Sequence, residues 1–153
     1  GTCEKLVAHI EGKLHRAVSV FLFNRSGQML LQQRAFSKYH SGGLWTNACC
    51  THPKPNESPI NAANRRLFEE LGLTCDIKKI LDFTYKTKLD NNLIEHEFDH
   101  VFVGYSNQKP KLNREEACSS RWMNITNLKK EVEQYPENFT VWFKIILKKV
   151  LEY

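Results

Sequence analysis

The most constraining feature of this sequence is a helix signal whose start and end are both marked. Ser58 and Pro59 indicate the start, because a serine side chain can accept hydrogen bonds from the free N–H groups of the first turn and proline is tolerated at the first helical position. Gly72 indicates the end, because glycine readily adopts the left-handed conformation that follows many helices. The apolar positions at helical spacing, which predict the side facing the core, are Ile60, Ala63, Leu67 and Leu71.

Charged residues occupy the other side of this predicted helix. The three that we expect to lie largely off the core face are Arg66, Glu69 and Glu70. With Glu57 and Arg65 before them, their spacing resembles the Nudix box, a loop–helix–loop that gathers carboxylates around divalent cations and diphosphates. Two positions depart from the box of a Nudix hydrolase, since Thr51 stands where the box has glycine and Arg66 stands where it has glutamate. These departures from the hydrolase pattern bear on function more than the match does.

The rest of the chain alternates strand-like and helix-like segments. Apolar runs between turn residues predict strands over 15–24, 28–33, 77–89, 93–105 and 121–123, with a short buried stretch at 44–45. Helices are predicted over 126–135 and 140–151, capped by Thr126 and Thr140. This mixture predicts an α+β fold, a Nudix-like α/β/α sandwich whose mixed β-sheet is flanked by helices. The length suits one domain over residues 1–153, and the missing initial methionine leads us to expect a further N-terminal segment.

Composition narrows the class of partner. The five cysteines are odd in number and include no Cys-x-x-Cys pair, so we expect free thiols in a reducing compartment, the cytoplasm. The net charge of +5 suits an anionic small molecule, whereas the scattered basic residues argue against nucleic acid. The longest apolar runs are far shorter than the roughly 20 residues of a membrane span, so no membrane partner is expected. The sequence leaves monomer and homodimer open.

The second strong signal is the pair Glu95 and Glu97 within a predicted strand. Alternate side chains of a strand share a face, so the two carboxylates point the same way and repel each other. This arrangement is uncommon unless a cation lies between them or one is kept protonated for acid–base work. The alternative is the solvated face of an edge strand, and the sequence leaves both interpretations open.

Histidines could complete a metal site with this pair. The candidates, each near a predicted structural transition, are His9, His15 and His52. With two glutamates they would offer nitrogen and oxygen donors that suit Mn²⁺ or Zn²⁺ as well as Mg²⁺. Spacing alone does not gather them, and a single histidine is more often a surface or core residue. His96 and His100 are expected on the opposite strand face as packing or surface residues, and His40, in a loop, carries no functional prediction.

Several segments together resemble one known family over almost the whole chain. They are residues 9–17, 34–38, 43–53, 65–72, 82–85 and 95–97. The most specific of them is the run Trp-Thr-Asn-x-x-Cys-x-His-Pro at 45–53, beside the Glu-x-Glu pair. In this order and spacing they resemble the type I isopentenyl diphosphate isomerases. The resemblance implies a reversible 1,3-allylic shift that interconverts isopentenyl and dimethylallyl diphosphate, the two five-carbon units of isoprenoid biosynthesis.

The resemblance also implies catalytic roles. Cys50 and Glu97 match the acid/base pair that protonates the alkene and removes a proton, and Tyr85 matches a hydrogen-bond partner of the carboxyl. A thiol pKa near 8.5 and a carboxyl pKa raised by burial bracket neutral pH, where proton exchange works best. Trp142 matches the aromatic that faces the carbocation, a contact worth roughly 0.5–2 kcal/mol. Without the resemblance, packing on a helix face would be the better interpretation of Trp142.

The metal and diphosphate sites follow from the same resemblance. The five residues that would hold a divalent cation are His9, His15, His52, Glu95 and Glu97. Glu70 would help to hold a second Mg²⁺ that bridges the substrate's diphosphate. The residues that would grip the diphosphate are Arg34, Lys38 and Arg66, and guanidinium groups suit this task because they pair bidentately with phosphate. Taken singly, each basic residue is more often a solvated surface charge.

Two alternatives to an isomerase remain open in the sequence. A Nudix hydrolase of a nucleoside diphosphate derivative would fit the helix, but it would want glutamate at position 66 and would not need Cys50. A non-catalytic domain that binds RNA through its basic charge would be expected to carry a stacking aromatic motif on a strand, which the sequence lacks.

Overall fold

Seven strands form one mixed sheet in the computed structural model, which describes residues 2–153. Gly1, where the predicted domain begins, lies outside the described residues. The strands are β1 His15–Phe23, β2 Met29–Arg34, β3 Trp45–Thr46, β4 Cys49–Thr51, β5 Ile77–Lys88, β6 Ile94–Tyr105 and β7 Ala117–Met123. The helices are α1 Lys5–Glu11, α2 Pro59–Leu71, α3 Ile125–Gln134 and α4 Val141–Glu152.

Strand β1 organises the sheet. It runs parallel to β6 and antiparallel to β4, and it meets β2 only at the hairpin end. Strand β6 pairs on its other side with β5, and β2 carries both β3 and β7. The register places His15 opposite Glu97 and Ser19 opposite Cys50. The predicted thiol, carboxylate and histidine therefore come together around one strand.

Helices cover the sheet on both faces. Helix α2 packs on one face against a cluster that includes Val18, Val20 and Leu22. Helix α4 packs on the other face, where Phe143 contacts a cluster that includes Phe21. The predicted α+β sandwich, with a mixed sheet between helices, is confirmed.

The structure confirms both ends of helix α2 but corrects its faces. Ser58 accepts a hydrogen bond from the Asn61 N–H at 3.3 Å, and Gly72 has a φ of 62°. Ile60, predicted to face the core, is 42% exposed. Glu70, predicted to lie largely off the core face, is 7% exposed. The reason is that position 70 follows Leu67 by three residues, so it shares the buried face as the helix continues.

Several other elements differ from the sequence predictions. Strand β7 begins at Ala117 rather than at 121, because it pairs along the whole of β2. The cap of α3 is Asn124 rather than Thr126, since the Asn124 side chain accepts from the N–H groups of the first turn. The cap of α4, Thr140, is confirmed by its bond from the Phe143 N–H at 3.2 Å. Helix α1 and strand β4 were not predicted, and Trp45, predicted to be buried, is half-buried.

Candidate metal centre and active site

Strand β6 lies inside the sheet, which decides between the two interpretations of its carboxylates. It pairs with β1 on one side and β5 on the other, so the edge-strand alternative is wrong. Glu95 and Glu97 are each 5% exposed and share one face. Asp99, fully buried on the same face, was missed, although the same alternation could have found it. His96 and His100 lie half-buried on the opposite face, as predicted.

Histidines from three elements converge on this face. His9 comes from α1, His15 begins β1 and His52 follows β4. One donor atom from each of them, with a carboxylate oxygen of Glu97, forms a group whose members lie within 4.8 Å of one another. Nε2 of His52 lies 3.0 Å from Glu97 Oε1 and 3.2 Å from Nε2 of His15. Nε2 of His9 lies 3.5 Å from an oxygen of Glu95.

The hydrogen bonds of two histidines fix which ring nitrogen carries hydrogen. Nδ1 of His9 donates to the Lys5 carbonyl at 2.7 Å, and Nδ1 of His15 donates to the Lys13 carbonyl at 2.8 Å, since a carbonyl can only accept. In the neutral rings, Nε2 therefore presents a lone pair to the cluster. Nε2 of His9 is buried and has no hydrogen-bond partner within residues 2–153.

Converging lone pairs and carboxylate oxygens are the donor set of a divalent cation. Burial, helped by the nearby Lys5 ammonium, holds the pKa of His52 well below its usual value. The neutral imidazole that results is the form that binds metal. Carbonyl groups that hold the far nitrogen of a histidine are the usual outer partners of metal-binding histidines. The cluster therefore fits a divalent metal ion.

Tyr85 of β5 lies beside the paired glutamates. Its O–H donates to Glu97 Oε2 at 2.7 Å, and Glu95 Oε2 lies 3.2 Å away. Burial and the Glu97 charge raise the pKa of Glu95. Burial acts to raise the pKa of Glu97 as well, but its contacts with His15, Glu95 and Tyr85 outweigh burial and lower that pKa. The pKa values of the two carboxyls are therefore shifted in opposite directions, and Glu95 takes up a proton more readily than Glu97.

Cys50 of β4 lies next to this histidine–glutamate cluster, and its thiol is protonated. Burial, with the Asp99 charge close by, raises the pKa of its thiol. The S–H donates to Asn47 Oδ1 at 3.3 Å. Cys50 and Glu97 line the same cavity, whose volume of about 30 Å³ would admit about one water molecule.

Trp142 of α4 closes this cavity. It is 3% exposed, and the Arg34 guanidinium carbon lies 5.1 Å from its ring centroid. The His40 ring packs against the Trp142 ring in a T-shaped arrangement, and the two ring centroids lie 5.6 Å apart. His40, which carried no functional prediction, is 4% exposed, and burial lowers its pKa to about 3. Lys5, also missed by the sequence analysis, lines the cavity as well.

The remaining predicted basic residues form a separate group with carboxylates. Lys38 Nζ lies 2.8 Å and Arg66 Nη2 lies 3.2 Å from the same oxygen of Glu116. Arg66 also pairs with Glu69 at 2.8 Å and with Glu70 at 3.3 Å. Burial raises the pKa of Glu70 to about 7, and its Oε2 has no hydrogen-bond partner in the described part of the chain. Glu116, which precedes β7, carried no sequence signal.

Comparison with known proteins places the chain in a family. The sequence pattern of the NUDIX domain matches residues 13–143. A protein of Serratia proteamaculans, named isopentenyl-diphosphate Delta-isomerase, is 51% identical over 97% of this chain and 83% of its own length. A protein of Aromatoleum aromaticum, named isopentenyl-diphosphate Delta-isomerase 2, is 48% identical over 99% of this chain and 80% of its own length.

Solved structures agree on the fold. The MutT protein of Methanosarcina mazei Go1 superposes with a TM-score of 0.71 at 21% identity, over 89% of this chain and 91% of that one. Among residues 2–153, no helix combines the length and the apolar character needed to cross a membrane. The matched domain pattern and the relatives, each covered over most of its length, lead to one conclusion: the chain belongs to the Nudix family and, within it, to the isopentenyl-diphosphate Delta-isomerases.

Proposed function

We propose that this chain interconverts isopentenyl diphosphate and dimethylallyl diphosphate. The observation that carries the proposal is the shared buried cavity of Cys50, Glu97 and Trp142. The names of the relatives, which the chain covers over about four fifths of their length, support the same reaction. The distant Nudix neighbours, at about one fifth identity, bear on the fold and not on the reaction.

The reaction needs two proton-exchanging groups and a dry pocket. An unactivated alkene is a poor base, so an acid must be held against its terminal carbon while water is excluded. Proton addition there gives a tertiary cation, and loss of a proton from the carbon next to the diphosphate-bearing end gives the isomer. One proton is added and one is removed, so the overall composition does not change.

The residues of the cavity supply these groups. In our proposal Cys50 and Glu97 exchange protons with the five-carbon chain, and Tyr85 orients the Glu97 carboxyl through its 2.7 Å hydrogen bond. Trp142 would face the cationic carbon with its indole ring, and the Arg34 guanidinium carbon at 5.1 Å from the ring centroid supports a cation-binding role for this ring. The present volume of about 30 Å³ requires side chains to move when substrate enters.

The metal centre would be held by His9, His15, His52, Glu95 and Glu97, and Mn²⁺, Zn²⁺ and Mg²⁺ all suit this set of donors. Glu70 would take part in holding a second ion, Mg²⁺, at the diphosphate. Bound cations would neutralise the clustered carboxylates and the diphosphate charge. The proton-exchanging residues do not depend on the metal for their place in the sheet, because strand pairing sets the positions of Cys50 and Glu97.

The diphosphate would be gripped by Arg34, Lys38 and Arg66. Guanidinium groups match phosphate oxygens in pairs, and a lysine adds a compact charge. Lys38 and Arg66 now share one oxygen of Glu116, which occupies the place that a phosphoryl oxygen would take. Binding would exchange this carboxylate for the substrate.

The wider setting follows from the same proposal. We place the protein in the cytoplasm, because all five cysteines are free thiols, as suits a reducing compartment. We also propose that residues 1–153 form a single domain. Its partner would be the small diphosphate substrate, without nucleic acid or membrane, and it would act as a monomer or homodimer.

Incubation with isopentenyl diphosphate and Mg²⁺ tests the function. We expect the acid-labile allylic isomer to form in the wild type and not in Cys50→Ala or Glu97→Gln. Cys49→Ala is the matched control, since Cys49 is the neighbouring thiol, is buried on the α2 side and should leave turnover intact. Wild-type turnover in Cys50→Ala would remove Cys50 from the mechanism. Hydrolysis of a nucleotide panel without any isomerisation would favour the hydrolase alternative.

A further inference from the structure

A buried hydrogen-bond chain crosses three adjacent strands and ends at the Cys50 sulfur. The Ser19 hydroxyl of β1 donates to Asp99 Oδ2 of β6 at 2.7 Å. Ser19 Oγ lies 3.5 Å from Cys50 Sγ on β4, and strand pairing places the two residues opposite each other. Ser19 is 2% exposed and Asp99 is fully buried, so water does not compete for these bonds.

The direction of these bonds defines what Ser19 presents to the thiol. A hydroxyl has one hydrogen, and Ser19 commits it to Asp99, so its oxygen turns a lone pair toward Cys50. Asn47 offers a second acceptor, because both hydrogens of its amide donate to backbone carbonyls at 2.9 Å. Its Oδ1 is thereby directed to the Cys50 sulfur. The S–H of Cys50 therefore faces two fixed acceptor oxygens.

The carboxyl at position 99 is hard to explain by packing. Burying a carboxyl is unfavourable unless hydrogen bonds compensate it, and Oδ1 of Asp99 has no such partner within residues 2–153. The next inward position of the same strand is Val101, which is also fully buried. An apolar side chain is therefore acceptable on this face of β6, and the carboxyl calls for another role.

We propose that Ser19, held in place by Asp99, is a positioning residue that fixes the Cys50 thiol relative to the five-carbon chain of the substrate. The inference rests on the proposed function, which assigns proton exchange to Cys50. Displacing a reacting group by about 1 Å can slow a reaction by about 100-fold, so a lost rotamer restraint has a large kinetic effect. Ser19 and Asp99 are not among the described residues that line the cavity, so substrate affinity should not depend on them.

The first test separates turnover from binding. Ser19→Ala should lower kcat by about 10- to 100-fold and leave KM for isopentenyl diphosphate within about twofold. Thermal unfolding of the same samples verifies that the variant is folded at the assay temperature. A folded Ser19→Ala protein with wild-type kcat overturns the inference, and so does a raised KM with unchanged kcat.

The second test asks whether Asp99 acts through Ser19. Asp99→Asn keeps an acceptor oxygen for the Ser19 hydroxyl, so its kcat should stay within about threefold of wild type, whereas Asp99→Ala should lose about as much as Ser19→Ala. Adding Asp99→Ala to Ser19→Ala should cause no further loss, because the two residues form one chain. Multiplying effects in the double variant would overturn the inference.

These outcomes are distinct from a failure of the proposed function. If the wild type does not isomerise isopentenyl diphosphate, the function is wrong. If the wild type turns over, Cys50→Ala does not and Ser19→Ala equals the wild type, the function stands and the positioning role of Ser19 is wrong.

Discussion

The two polar regions of the site differ in how their charges are compensated. In the histidine–glutamate cluster, Nε2 of His9 lies 3.5 Å from a Glu95 oxygen. This nitrogen has no hydrogen-bond partner within residues 2–153. In the cation–carboxylate group, Lys38 and Arg66 already share Glu116 at 2.8 and 3.2 Å. The first region gathers donor atoms that suit a bound cation, whereas the charges of the second are paired within the protein itself.

This difference assigns different tasks to ligand binding in the two regions. A site of converging donors is costly to fold without its ion, so metal affinity there also adds to stability. A region of paired charges folds without a ligand and binds an anion only by exchanging partners. Metal binding should therefore be coupled to stability, and diphosphate binding should be a competition with Glu116.

The largest expected effect is the loss of the metal centre in His52→Ala. His52 Nε2 contacts both Glu97 and His15, so its removal opens the middle of the cluster. We expect affinity for Mn²⁺ to fall by more than about 100-fold, since even outer partners of metal ligands contribute 10- to 100-fold. Titration calorimetry with MnCl₂ measures it. His96→Ala, on the opposite face of β6, is the control, and equal losses in both variants would mean that the cluster is not the metal site.

The second effect is stabilisation by the ion. At a free Mn²⁺ concentration of about 100 times Kd, binding to the folded state adds about 2.7 kcal/mol, which corresponds to a rise in Tm of about 5–10 °C for a chain of this size. Differential scanning calorimetry with and without EDTA measures the shift. The shift should vanish in His9→Ala and persist in Glu116→Gln. An unchanged Tm in the wild type would separate the metal centre from folding and contradict the comparison.

The third effect is competition in the cation–carboxylate group. Glu116→Gln removes the charge that pairs with Lys38 and Arg66, so inorganic pyrophosphate should bind about two- to fivefold more tightly without divalent ions, as expected for a partly exposed ion pair. Glu115→Gln, at the exposed neighbouring position, should leave the affinity unchanged. Weaker pyrophosphate binding by Glu116→Gln would show that this carboxylate supports the grip and does not compete with it.

The sequence could predict what depends on neighbours along the chain. Helix α2 was placed correctly because Ser58 and Gly72 act within one turn of its ends. The shared face of Glu95 and Glu97 followed from strand alternation alone. The burial of Glu70 was missed, although its spacing of three residues from Leu67 already places it on the apolar side of α2.

The partners from distant parts of the chain could not be predicted. Glu116 meets Lys38 and Arg66 only because β7 pairs with β2. His40 reaches Trp142 across a loop and a helix that share no local pattern. Without the resemblance, even the gathering of the histidines would have remained open, since spacing does not bring separate elements together.

The smallest effect concerns the loop between strand β4 and helix α2. Arg65 holds Glu57 through two bonds, at 2.8 and 2.9 Å, and this contact lowers the pKa of Glu57 to about 2. A lowered carboxyl pKa adds stability at neutral pH, and that stability is lost as pH falls from about 4.5 toward 2. Because the pair is partly exposed, we expect only about 0.5–1 kcal/mol.

Urea unfolding at pH 6 and pH 3 measures this contribution. Glu57→Gln should be less stable than wild type at pH 6, and the difference should shrink to about half at pH 3, where the wild-type carboxyl has lost part of its advantage. Glu133→Gln, at an exposed position of α3, provides the control for a simple change of net charge. A constant difference between Glu57→Gln and wild type at both pH values would mean that the ion pair contributes no pH-dependent stability. The loop would then be held by its other contacts, among them the Lys54 N–H bond to the Glu57 carboxylate and the bonds from Arg16 to the Lys54 and Glu57 carbonyls.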